Sequence, residues 1–298
     1  MRGWVVYDDE GAARNAWFAG HLQKTASDLR VELELVPDSE VVEKFSEGSP
    51  PDFVLVRTIN PCLSRWLEDH GALVINNAAT SMVANDKWKT YCFCMENGIP
   101  VMPTTVADRS CDFHGERVMK SVDGHGGSEV FLVKDRHGAR EVQERFPGKT
   151  FILQELCTDA GCDMRAYVIG GEVVAAVLRT SKGGFRSNYS LGGDARCTSI
   201  EAAEKGVIAR LNALLSFGFV GVDFIRHQGR WVLNEIEDVV GSRMLYSCSD
   251  IDIALPYMKY AMNCARRRRR RVAATRRRSF DFHVNDTSNN KKKGLRNV

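Results

Sequence analysis

Long apolar runs, paired cysteines and the best-known phosphate-binding motifs are all missing from this chain of 298 residues. No stretch approaches the roughly 18 consecutive apolar residues that cross a bilayer, so no membrane span is expected. The first ten residues already hold Arg2, Asp8, Asp9 and Glu10. An apolar secretory signal is therefore not expected there, and a cytoplasmic setting is. Nine cysteines are odd in number and scattered, with Cys92-Phe-Cys94 as a lone C-x-C. That usage suits reduced thiols rather than a disulfide framework or a zinc site. The chain has no G-x-x-x-x-G-K-[ST], and no G-x-G-x-x-G follows its first predicted strand, so neither the P-loop nor the dinucleotide fingerprint applies. Internal repeats are absent.

What is present is unevenly charged. Residues 264–298 hold ten Arg and three Lys against Asp281 and Asp286, a net of +11. The remaining 28 Lys and Arg face 36 Asp and Glu, so the body carries −8. Blocks of like charge repel, and the tail from residue 264 is expected to lack packed structure. Only the tail supports a polyanion argument, and without interleaved aromatics that contact is expected to be non-specific. The body, at 44% hydrophobic and 27% charged, is ordinary for a globular protein.

Periodicity predicts strands over 3–7, 31–36, 53–56 and 73–75, separated by helical segments over 11–29, 39–45 and 62–70. Alternating strands and helices imply a small parallel α/β layer. A helix over 86–97 ends at Gly98 and Pro100, and an extended entry over 99–105 follows. A strand over 117–120 ends in Lys120 and leads into Ser121-Val122-Asp123-Gly124-His125-Gly126-Gly127-Ser128, then a strand over 129–133. Such a glycine-rich hairpin can fold backbone N–H groups over phosphates, or it can be an ordinary turn. Later come a helix over 138–146, strands over 150–156, 163–169 and 172–180, a glycine-rich stretch over 181–193, and helices over 200–217 and 251–262.

The most informative stretch is V-G-V-D-F-I-R-H-Q-G-R-W-V-L-N-E-I-E from Val220 to Glu237. Two apolar runs flank His-Gln-Gly-Arg, which predicts a β-hairpin. Counting outward from Gly229 places Asp223 nearly opposite Glu235, and strand alternation puts Glu237 on the same face. Val222, Phe224, Val232 and Ile236 would form the apolar face. Clustered carboxylates repel and lose solvation, and a hard divalent cation such as Mg²⁺ or Mn²⁺ would remove the conflict. A solvated acidic face is the competing reading, open at this point.

An ordered set of elements carries a resemblance. The chain holds D86-K87-x-x-T90, G98-I-P-V-x-P103, V118-M-K120 before the glycine loop, and I152-L-Q-E155. It continues with D163-M-R165, F185-R-S-N188, V222-D223 and N234-E-I-E237. This resembles the ATP-grasp superfamily, and within it the RimK-like amino-acid and peptide ligases of the alpha-L-glutamate ligase type, over most of residues 1–262. The resemblance implies an α/β (α+β) ATP-grasp fold. A Rossmann-like pre-ATP-grasp domain would span 1–78, a central lobe with the glycine loop 79–156, a lobe with the metal site 157–263, and the basic tail 264–298.

The resemblance also implies roles. Lys87 and Lys120 are the expected phosphate contacts, under a loop of Gly124, Gly126 and Gly127. Gln154, Glu155 and Leu156 match the adenine-side segment, Asp163 a nucleotide contact, and Arg186, Ser187 and Asn188 the phosphate-side R-S-N. Asp223, Glu235 and Glu237 match ligands for two Mg²⁺ or Mn²⁺ ions. Arg179, and more weakly Arg243, would stabilise a developing acyl phosphate, as would Lys120. The family ending E-x-N-x-x-P-G is altered here, with Glu237 where Asn is expected and no proline, and this bears on the acceptor. The implied activity joins a carboxylate to an amine with ATP, glutamate addition to a peptide or protein being typical. A small-metabolite ligase, a kinase-like relative, and a polyanion-binding protein with a silent ATP-grasp body are the alternatives. The oligomeric state is left open.

Overall fold

The computed structural model describes residues 1–108, 113–124, 127, 129–181 and 194–293, with side chains as far as residue 274. An amino-terminal layer comprises β1 (Arg2–Tyr7), α1 (Asp9–Arg14), α2 (Ala16–Asp28), β2 (Glu32–Pro37), α3 (Val41–Glu47), β3 (Phe53–Val56), α4 (Pro61–Asp69), β4 (Val74–Ile75) and α5 (Ala78–Ala84). Its four strands are parallel in the order β2-β1-β3-β4, as expected where helices separate strands. The single helix expected over 11–29 is two helices meeting at Asn15. Asp8 caps the first by accepting from the Gly11 N–H at 2.6 Å. Asn60, with Pro61 at the first helical position, starts α4 in the same way.

A second, antiparallel sheet follows α6 (Lys87–Glu96). It is built from β5 (Thr104–Val106), β6 (Arg117–Ser121), β7 (Val130–Val133) and β8 (Phe151–Glu155), with α7 (Arg136–Arg145) packed near β7. The order is β5-β8-β6-β7, so the extended entry after Pro103 becomes an edge strand paired with β8. Met119, Val133, Phe151 and Leu153 supply its core.

The third sheet orders β11 (Asp194–Cys197), β10 (Glu172–Thr180), β9 (Cys162–Ile169), β12 (Phe219–His227) and β13 (Arg230–Glu237). Helix α8 (Ala202–Leu215) lies against one face. There Ile208, Leu211 and Leu215 meet Met164, Ala166 and Val222. Strand alternation turns Asp163, Arg165 and Asp223 to the opposite face. The β12–β13 hairpin turns at Gln228-Gly229, both at positive φ, and pairs Asp223 with Glu235 as the sequence predicts. A β-bulge between Asp223 and Phe224 puts one extra residue into β13. Below it the parity reverses, so Leu233 rather than the expected Val232 joins Val222, Phe224 and Ile236 in the core.

The chain closes with α9 (Arg243–Cys248) and α10 (Ala254–Lys293). The unstructured tail expected from residue 264 is corrected: α10 runs on through Arg266–Arg271 to Lys293. Arginine is a good helix former, and the first part of the run is anchored. Ala265 is buried, Arg268 donates to the Gly71 carbonyl, and Arg269 pairs with Asp52 at 2.5 Å. Among the described residues no helix is long and apolar enough to cross a membrane.

Candidate active site

The site grows from three neighbouring strands. Asp223 of β12 lies in register between Arg165 of β9 and Glu235 of β13, while Arg179 of β10 lies beside Asp163. Residues i and i+2 of a strand share a face, so all these groups converge. Arg165 donates from Nε and Nη2 to the two oxygens of Asp223, at 2.7 and 2.6 Å, and from Nη2 to Glu237 at 2.5 Å. Arg179 reaches Asp223 at 2.7 Å and also pairs with Asp163. Carboxylate oxygens of Asp223, Glu235 and Glu237 lie within 4.8 Å of one another.

Burial of such a cluster has definite consequences. Asp223 is 1% exposed. Burial alone would raise its pKa, but the guanidiniums of Arg165 and Arg179 outweigh it and hold the carboxyl well below the usual range. Glu237 goes the other way. Burial raises it, Asp223 and Glu235 add like-charge repulsion, and Arg165 only partly offsets them. The sequence argument that a cation must relieve these carboxylates is thus met in part by two arginines of the chain. The oxygens that face one another are still hard donors spaced to share an ion, so the set fits Mg²⁺ or Mn²⁺.

Two lysines face this cluster. Asp86 caps α6, accepting from the Lys89 N–H at 2.9 Å, and so fixes Lys87 at the first helical position. The Lys87 ammonium lies 3.6 Å from Glu235 and donates to the Gly124 carbonyl. Lys120, from the second sheet, donates to Gln154 Oε1 at 2.7 Å and to Asn234 Oδ1 at 2.8 Å. The second bond crosses from the second sheet to the third. Burial lowers Lys120 to about 8; Glu235 opposes the shift and Lys87 adds to it. Gln154 is itself held by Thr104 at 3.0 Å. Its side chain therefore positions Lys120, whereas Glu155 is exposed at the strand end and Leu156 half-buried. Gly124 and Gly127 begin the turn after β6, Gly127 at a φ of +78° that favours glycine. Gly126, Arg186, Ser187 and Asn188 lie outside the described residues.

A cavity of about 620 Å³ opens between this cluster and the amino-terminal layer. Lys87, Glu235 and Glu237 line one side; Arg14, Arg57 and Arg243 line the other. Arg57 is only 4% exposed. It donates from Nη2 to the Val240 carbonyl at 2.7 Å and lies against the rings of Phe18 and Phe219, while its Nε and Nη1 have no hydrogen-bond partner among the described residues. The loop after β13 is tied to the same layer by Asp238. Its carboxylate accepts from Asn85 at 3.2 Å and from Asn76, whose Oδ1 accepts from the Gly218 and Phe219 N–H groups.

The structure brings together Asp163, Arg179 and the three hairpin carboxylates that the sequence singles out. The sequence does not single out Arg165 as their shared counter-ion, nor Asn234, Asn76, Asp238 and Arg57. Arg165 was accessible, since it lies two residues from Asp163 on one strand. The two asparagines act through contacts far apart in sequence, which no local pattern reveals.

Comparison with known proteins bears on the family and the fold. A model of the RimK-like ATP-grasp domain matches residues 84–260. A probable alpha-L-glutamate ligase of Sodalis glossinidius (strain morsitans) is 34% identical over 203 residues, covering 64% of this chain and 68% of that protein. The ribosomal protein bS6–L-glutamate ligase of Escherichia coli O81 (strain ED1a) is 26% identical over 278 residues, covering 87% and 93%. Among solved structures, the D-alanine–D-alanine ligase of Bacillus anthracis complexed with ATP superposes with a TM-score of 0.70 at 14% identity, covering 91% of this chain and 99% of that one. D-cycloserine synthetase DcsG gives 0.68 at 18% identity, covering 90% and 99%. At such identities the superpositions speak to the fold, which is ATP-grasp. The chain belongs to the RimK-like ATP-grasp family, whose members are ligases that use ATP and divalent metal ions to form C–N bonds.

Proposed function

We propose that this protein joins a substrate carboxylate to an amine through an acyl phosphate, adding an amino acid to a peptide or protein. The observation that carries the reading is the pairing, across one cavity, of a carboxylate-and-lysine cluster with an arginine-lined wall. ATP would lie between the second and third sheets, in lobes spanning 79–156 and 157–263. Its adenine would lie beside residues 154–156 and its phosphates toward Lys87 and Lys120. Asp223, Glu235 and Glu237 would hold the divalent ions, which would supply charge neutralisation to the phosphates.

The chain's own residues do the rest. Lys120 exchanges Gln154 and Asn234 for phosphate oxygens, which restores full charge to an ammonium that burial has weakened. Arg165 and Arg179 keep Asp223 ionised and oriented, so that Arg179 acts on the reaction through this cluster. Arg57, Arg14 and Arg243 offer donors to the substrate carboxylate, which needs charge-assisted partners once water is excluded. A carboxylate oxygen attacks the γ-phosphorus and ADP leaves. The amine nitrogen then attacks the acyl carbon, losing a proton, and phosphate departs with that carboxylate oxygen.

This path has an isotopic signature. With substrate labelled with ¹⁸O in its carboxylate, the label appears in inorganic phosphate as the amide forms. Amide formation with unlabelled phosphate would overturn the acyl-phosphate path.

A further inference from the structure

Two of the free thiols meet across the edge of the third sheet. Cys197 is the last residue of β11, the edge strand, and Cys248 is the last residue of α9, which lies against that strand. Their Sγ atoms are 3.9 Å apart, although 51 residues separate them in sequence. Cys197 Sγ also donates to the Cys248 carbonyl at 3.6 Å, so its side chain lies over the backbone of its neighbour. Cys248 Sγ donates to the Leu245 carbonyl at 3.7 Å.

An S–S bond of roughly 2.0 Å needs about 1.9 Å of further approach. Each cysteine ends its element, and Ser249, directly after Cys248, is already extended. Side-chain rotation and small shifts at two element ends can therefore close the gap without disturbing the interior of either.

The two thiols differ in access. Cys197 is exposed and Cys248 half-buried. Burial pushes the Cys248 thiol up to about 11, and Cys197 beside it adds to the rise. An incoming oxidant therefore meets Cys197 first. Once the Cys197 sulfur is capped it no longer ionises, and its repulsion of a Cys248 thiolate is gone. Cys248 is then easier to ionise and already lies against the sulfur it must attack.

We propose that Cys197 and Cys248 are a reversible disulfide site, oxidised by a low-molecular-weight disulfide such as glutathione disulfide, and that the bond fastens β11 to α9. The Cys197 thiolate attacks one sulfur of glutathione disulfide, whose S–S bond breaks, and one glutathione thiolate leaves. The Cys248 thiolate then attacks the Cys197 sulfur, and the second glutathione thiolate leaves. The two cysteines lose two electrons, one glutathione disulfide becomes two glutathiones, and the two cysteine protons end on the departing thiolates. Strand β11 lies beside β10, which bears Arg179, and α9 begins at Arg243 on the cleft wall. The bridge uses neither arginine and no atom of the carboxylate cluster, so it forms without ATP or metal.

The test treats the full chain, freshly reduced, with glutathione disulfide, and maps the cysteines by non-reducing digestion and mass spectrometry. The expected product is a peptide pair joined between Cys197 and Cys248, with no glutathione retained at either. Cys62, exposed on α4, is the reference and is expected to keep a glutathione adduct. Bridging is expected to raise the melting temperature by about 5 °C, and dithiothreitol to reverse both changes. Cys248→Ser removes the resolving thiol, so Cys197 is then expected to keep glutathione. In Cys197→Ser the half-buried Cys248 is expected to react at least about ten-fold more slowly than Cys197 does in the parent. Glu235→Ala, in the cleft, is expected to form the bridge as the parent does. A parent whose Cys197 keeps glutathione, or is joined to a different cysteine, would overturn the proposal. So would a parent in which Cys62 is modified and this pair is untouched.

Discussion

The two faces of the third sheet treat buried carboxylates in opposite ways. In the cleft, Asp223 and Glu237 share Arg165, Asp163 meets Arg179, and Glu235 lies beside Lys87. Behind the sheet, Glu204 is as buried as Asp163, and its Oε2 has no hydrogen-bond partner among the described residues. The difference teaches that burial alone does not mark a finished site. The cleft meets its buried charges with partners from its own chain, which ligands would exchange for new ones.

The largest expected effect separates the two faces by stability. Arg165→Met leaves Asp223 to Arg179 alone and takes from Glu237 its arginine partner, and it is expected to cost about 3–5 kcal/mol, read as a lower urea midpoint. Glu204→Gln removes an unpaired charge and is expected to be neutral or to stabilise by up to about 1 kcal/mol. Equal losses would break the comparison.

Next comes chemistry. Lys120→Met keeps volume and removes the ammonium, and turnover is expected to fall by about 10²–10³-fold with the melting temperature maintained. A smaller effect follows from its titration. Lys120 lies at about 8 against 10.5 for a free lysine. ATP affinity is therefore expected to weaken above pH 8, by up to about ten-fold per unit, and Lys120→Met is expected to lose that slope. The unfolded chain holds the proton that the folded one has lost between about 8 and 10.5, so this group makes stability rise with pH across that window. The smallest effect is Arg269→Ala. Its pair with Asp52 is exposed, and a loss of at most about 1 kcal/mol is expected.

Much of the cleft was legible because its ligands sit at strand spacing. Asp223, Glu235 and Glu237 could be placed on one face by counting from Gly229, and the structure pairs them in that register. The count failed one step further down. The bulge moved Leu233 to the core and turned Asn234 toward Lys120, and nothing in the local pattern announces an inserted residue. Arg165 and Arg179 were visible as residues, but their sharing of Asp223 depends on three strands aligning. Repulsion among arginines led to the expectation of a structureless tail; Ala265, Asp52 and the Gly71 carbonyl supply contacts that composition does not show. Glu204 gives no sign in the sequence, since the burial of its Oε2 without a partner among the described residues exists only in three dimensions.

The most direct test of the central claim is product formation. Purified protein with Mg²⁺ and ATP would be supplied with pools of amino acids and short peptides, with ADP release followed and products weighed by mass spectrometry, using Glu235→Ala as the blank. The account predicts ADP release that depends on the pool, together with the mass of a new amide, both absent from the blank. ATP turnover that yields a stable phosphoester and no amide, or a protein that fails to bind ATP, would contradict it.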